Sequence, residues 1–140
     1  MRLCRKKMRI EKVLMKDIHL PQKLVEIRKQ FNAVYSEKFG KPWGKGLYKK
    51  EDWARIAFCY QEVCNTDSVE SVLDVGVGPG ALLNIFQMDP CFSRVTGIDK
   101  VHFSKLVVLG DLDIRIMDAG QMTFSDNEFD CVICMEVLEH

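Results

Sequence analysis

Asp74, Gly76, Gly78 and Gly80 stand at alternate positions in the run VLDVGVGPG, residues 72–80. Glycine at every second place lets a chain leave a buried strand, turn through positive φ and bring its backbone close to a ligand. A helix starting near Gly80 would aim its unpaired N–H groups and partial positive charge at the same spot. Two ligand classes fit such a turn. Gly76-x-Gly78-x-x-Ala81 satisfies the pattern that cradles the pyrophosphate of a dinucleotide. Asp74, two residues before Gly76, would repel a pyrophosphate and attract an ammonium group instead. Asp99 closes a second strand-like run, where a carboxylate can accept both hydroxyls of a ribose. That acid suits either class, so it points to a nucleoside without naming it.

These residues need strands that end beside one another. From Val69 onward, short β-branched runs alternate with longer segments: 69–75, 94–99, 112–118 and 129–135. The runs are nearly continuous in apolar character, the pattern of parallel strands covered on both faces. Residues 80–88 (GALLNIFQM) read as a helix between the first two runs, and 101–109 (VHFSKLVVL) as a shorter one between the second and third. The order βαβαβ–β is the first half of a doubly wound, Rossmann-like α/β sheet.

Ahead of this half lies a different texture, so the boundary is placed between residues 1–68 and 69–140. Leu24, Val25, Ile27, Phe31, Val34, Tyr35 and Phe39 are spaced for an amphipathic helix over 22–39, with Pro21 at its start and Gly40 as its stop. A second helix is expected over about 49–64, with Leu47, Trp53, Ile56, Ala57, Tyr60 and Val63 on one face.

Charge separates the same two pieces. The chain has 140 residues and no formal net charge, yet residues 1–50 hold fifteen Lys/Arg against four Asp/Glu, a net +11. The remaining ninety hold five against sixteen, a net −11. The bland reading is a solvated basic helix packed on an acidic domain. The sharper one is a basic arm for an anionic partner such as RNA. With 47% hydrophobic and 29% charged residues the composition is globular, and no apolar run approaches the roughly 18–20 residues of a membrane span. The basic start MRLCRKKMRI lacks a following apolar segment, so a secretory signal is not expected, and the cytoplasm is the expected compartment. Cys131 and Cys134 form a CxxC inside an apolar run, with neither a second pair nor a histidine at ligand spacing. Buried small hydrophobes are the expectation there. His19 and His102 are read as surface or packing residues.

With those elements in place, residues 71–140 resemble the first half of a class I S-adenosylmethionine (SAM)-dependent methyltransferase. The resemblance rests on VLDVGVGPG (72–80), GID (97–99), MDAGQMTFSDNEFD (117–130) and CMEVLEH (134–140). It implies a seven-stranded sheet of order 3-2-1-4-5-7-6 with SAM across the carboxyl ends of the first strands. By the same resemblance, Asp74 and the Gly76, Gly78 and Gly80 turn face the methionine part of SAM, and Asp99 holds the ribose. Asp118 accepts from the adenine amino group, and the Ala119 amide meets the ring. Lys100 stands where the family usually has an apolar residue, and its methylene stem can cover the adenine.

The segment MEVLEH is similar to small-molecule methyltransferases, including those of quinone biosynthesis. Its E-x-x-E-H spacing (Glu136, Glu139, His140) also resembles metal-dependent small-RNA 2′-O-methyltransferases. A metal-free site and a small-molecule acceptor are the expectation, with no catalytic residue named. A complete fold of this class needs about 80–100 further residues. The fourth strand would then be a sheet edge, open to a second copy or a completing partner. A non-catalytic SAM-binding fragment and an RNA methyltransferase are the alternative functions.

Overall fold

The computed structural model describes residues 21–40, 50–101, 105–135 and 137. Seven elements follow in order: α1 (Gln22–Phe39), α2 (Lys50–Cys64), β1 (Ser71–Val75), α3 (Ala81–Gln87), β2 (Arg94–Asp99), β3 (Asp113–Ile116) and β4 (Cys131–Cys134). The strands form one parallel sheet of order β3-β2-β1-β4. This is the α/β, Rossmann-like arrangement that the alternation of runs implies, and β1 and β2 are its buried centre.

The helices cover one face. Leu24, Ile27, Phe31 and Tyr35 of α1 and Trp53, Ile56, Ala57, Tyr60 and Val63 of α2 share a core with α3, Val72, Val95 and Ile133. In α1, Gly40 ends the helix at φ +66°, its amide donating to the Ser36 carbonyl at 2.9 Å. This is a left-handed stop that costs glycine little. Leu47, expected on the face of α2, lies outside the described residues.

A buried carboxylate joins the layers away from the glycine turn. Asp89, just beyond α3, accepts from the Tyr60 hydroxyl of α2 and pairs with Lys23 of α1 at 3.1 Å. It also accepts from the Cys91 amide at 3.0 Å. Burial acts to raise the Asp89 pKa, but the Tyr60 hydroxyl, the Cys91 amide and Lys23 outweigh it and hold the group at about 2. Its folded pKa lies below the ordinary value of 3.8, so its contribution is present above about pH 4 and is lost as pH falls toward 2. Asp89→Ala strands a buried hydroxyl and an ammonium. It is expected to cost about 3 kcal/mol in urea denaturation at pH 7.

Three expectations are corrected. The outer strands are not covered on both faces: Ile116 of β3 is 58% exposed and Val132 of β4 43%. Among the described residues each pairs on one side only, and β3 alternates Asp113 and Arg115 with its two isoleucines. Cys134 is exposed rather than buried, because it sits on that edge strand and on the face away from the helices. Residues 105–109 are not helical, while 102–104 lie outside the described residues. The Val107 amide donates instead to the Pro79 carbonyl at 3.0 Å, holding this stretch against the glycine turn.

Candidate functional site

The site residues gather at the carboxyl end of the sheet. In the parallel register Asp74 lies beside Gly97, and Asp99 is two residues further along on the same face. With no side chain at 97, the two carboxylates are near neighbours across the strands. Asp74 is only 4% exposed. Burial chiefly, with Asp99 second, pushes its pKa from 3.8 up to about 7. Cys59 of α2 faces it, and burial first and Asp74 second raise that thiol to about 12.

Beyond Asp74 the chain turns sharply. Gly76, Gly78 and Gly80 have φ of +82°, +53° and +87°, a region that side chains with a Cβ rarely enter. The Gly76 and Val77 amides both donate to the Ile98 carbonyl, at 2.8 and 3.2 Å, which pins the turn to β2. Two of the three glycines have a packing role that the sequence did not disclose. A Cβ on Gly76 would collide with the Val137 side chain, and one on Gly80 would stand 2.7 Å from Leu106 Cδ1. At both places the protein's own chain uses the space. Gly78 is the exposed member of the three.

Asp99 is tied to that exposed glycine. Its Oδ2 accepts from the Gly78 amide at 2.9 Å and its Oδ1 from the Val101 amide at 3.2 Å. One carboxylate therefore fixes the turn after β1 relative to the end of β2. Each oxygen retains a second lone pair for a hydroxyl donor. The segment after β3 reaches the same rim, for the Met117 amide donates to the Asp99 carbonyl at 2.8 Å. Asp118 turns on itself, accepting from the Gly120 amide at 2.7 Å. Lys100 reaches to within 3.7 Å of its other oxygen, an ion pair between exposed side chains worth little in stability. Ala119 packs with Met117, Phe124, Phe129 and Val137 over Leu73, Val75 and Ile98.

Asp74, Gly76, Gly78, Gly80, Asp99, Lys100, Asp118 and Ala119 thus share one rim, formed by the ends of β1, β2 and β3. Glu136, Glu139 and His140 lie outside the described residues, so their roles are not placed. A cavity of about 380 Å³ opens elsewhere, beside Arg94 and Asp113 at the opposite ends of β2 and β3. The rim, not that cavity, carries the convergent carboxylates.

Sequence reasoning missed three positioning residues. A Cβ on Gly97 would stand 2.5 Å from Val77 and 2.9 Å from Leu83, so glycine here seats α3 and leaves room beside Asp74. Asp130 accepts from the Glu70 and Ser71 amides and from the Ser71 hydroxyl at 2.7–3.1 Å, aligning β4 with β1. Asn84, fully buried in α3, bonds to three main-chain groups around the turn. A polar residue inside an otherwise apolar helix was the available signal for Asn84.

Residues 73–140 match the family model described as Methyltransferase domain. Over these residues the chain is similar to that family. The match supports a class I SAM-dependent methyltransferase, and the parallel sheet fits the Rossmann-like fold of a family that generally uses SAM. Comparison with curated proteins and with solved structures gave no match. The helices α1 and α2 precede the matched segment but pack into the same core as its sheet. No helix among the described residues is long and apolar enough to cross a membrane.

Proposed function

We propose that this methyltransferase segment binds SAM along the rim formed by β1, β2 and β3 and serves methyl transfer to a small-molecule acceptor. The observation that carries the reading is the convergence of Asp74, the glycine turn, Asp99 and Asp118 on one rim of a methyltransferase-family sheet. The donor set suits the cofactor's chemistry. Asp74 is the buried carboxylate for an ammonium, Asp99 the acceptor for vicinal hydroxyls, and Asp118 with the Ala119 amide a donor–acceptor pair for an adenine edge. Lys100 lays its stem beside the base and turns its charge to Asp118.

When bound, SAM supplies a methyl group activated by its sulfonium. The chain's contribution is positioning: Asp99 locks the turn through Gly78, and Met117 ties the adenine side to the same strand end. Equilibrium binding of S-adenosylhomocysteine, the demethylated product, tests the reading without knowledge of the acceptor.

A second reading concerns the acceptor and is favoured by one observation, the net +11 of residues 1–50. If that segment is a landing surface for RNA, binding of a structured RNA should weaken about 100-fold between 50 and 200 mM salt, as released counterions demand. Fluorescence anisotropy checks this. Undetectable or salt-independent binding leaves the small-molecule acceptor standing.

A further inference from the structure

Asn84 is wholly buried in α3, among residues that are themselves buried. Such an amide costs stability unless its hydrogen-bonding groups find partners. All of its bonds go to two stretches of main chain. Its Nδ2 donates to the Gly80 carbonyl at 2.7 Å and to the Val107 carbonyl at 2.8 Å. Its Oδ1 accepts from the Leu109 amide at 2.9 Å. The Val107 amide returns a bond to Pro79, and Leu106 occupies the space that a Cβ at Gly80 would fill. The stretch 106–109 is therefore fastened to the last two residues of the glycine turn. Asn84 is the side chain common to both.

We propose that Asn84 is a positioning residue for the SAM-binding turn, clasping residues 106–109 against Pro79 and Gly80 so that the turn keeps its ligand-binding shape. The proposal deepens the function proposed above and rests on that reading. The clasp opposes a helix over 105–109, because the Val107 amide is spent on Pro79 and the Val107 carbonyl and Leu109 amide on Asn84. It also explains the need for an amide, since no other uncharged side chain of that size offers two donors and an acceptor together.

The test compares the intact chain with Asn84→Ala, Asn84→Asp and Leu106→Ala, using titration calorimetry with S-adenosylhomocysteine and hydrogen exchange of the Val107 and Leu109 amides. Asn84→Ala should bind about 10-fold more weakly, with faster exchange at both amides. Asn84→Asp keeps the acceptor for Leu109 but sets a carboxylate against two carbonyls, and should bind no better than Asn84→Ala. Leu106→Ala loosens the clasp at a half-buried side chain on the margin of the core, and about a 3-fold loss is expected even if the Asn84 variants fail to fold. Asp89→Ala is the control for stability alone, with unchanged affinity expected.

Affinity of Asn84→Ala or Leu106→Ala equal to wild type overturns the proposal, as does an equal loss in Asp89→Ala. If the wild-type chain binds no S-adenosylhomocysteine, the cofactor reading fails by itself. The clasp is then judged by exchange, and unchanged protection at Val107 and Leu109 in Asn84→Ala overturns it.

Discussion

Asp99→Ala is expected to weaken S-adenosylhomocysteine binding by at least about 100-fold. Two effects add. A ribose loses a charged acceptor for its two hydroxyls, and each such bond is worth about 1.5–3 kcal/mol. The Gly78 and Val101 amides also lose their partner, so the turn is no longer fixed to the end of β2. Together these exceed the 2.7 kcal/mol or so that corresponds to 100-fold. Asp99→Asn separates them, because its oxygen can still accept from Gly78 while its amide cannot replace the charge. An intermediate loss of about 10-fold is expected there. Calorimetry on the three proteins, with circular dichroism as the check on folding, reads the series.

The second large effect concerns pH and Asp74. Its folded pKa of about 7 lies above the ordinary 3.8, so the folded chain holds a proton there that the unfolded chain releases between those values. Stability of the ligand-free chain should therefore fall as pH rises from about 4 to 7 and level off above. Asp74→Asn removes the penalty and is expected to stabilise the chain by about 2–4 kcal/mol at pH 8, with the difference vanishing near pH 4. Urea denaturation at both pH values measures it.

Binding should run the other way. An ammonium group prefers the ionised carboxylate, and only about a tenth of Asp74 is ionised one unit below its pKa. Affinity for S-adenosylhomocysteine should accordingly rise about 10-fold from pH 6 to pH 8. In Asp74→Asn it should be weaker and nearly flat over the same range. A stabilised variant that binds more weakly is the mark of a carboxylate kept for a ligand rather than for the fold.

Much of this was legible from periodicity. The spacing of Leu24, Ile27, Phe31 and Tyr35 gave α1 the bounds that the structure has, since Pro21 and Gly40 carry backbone preferences independent of tertiary context. Apolar runs located all four strands. The strand order implied by the family resemblance did place the fourth strand at an edge. The runs alone do not mark β3 and β4 as edges, because an isoleucine or valine reads alike beside one neighbour or two. The same limit exposed Val132 and Cys134. The stretch 101–109 misled for another reason. Its pattern suits a helix, but hydrogen bonds to Pro79 and Asn84, distant in sequence, decide its path in 105–109. At the site, residue types and positions pointed to Asp74 and Asp99, and the family resemblance added Asp118. Only coordinates could disclose that Val137 and Leu106 fill the spaces at Gly76 and Gly80, or that Lys100 turns to Asp118.

The central claim is that the rim over β1, β2 and β3 binds SAM, and titration of the intact 140-residue chain with S-adenosylhomocysteine at pH 8 tests it most directly. One saturable site with a Kd on the order of 1–100 μM, lost in Asp99→Ala, is the predicted result. A folded chain that shows no binding up to about 1 mM would contradict it.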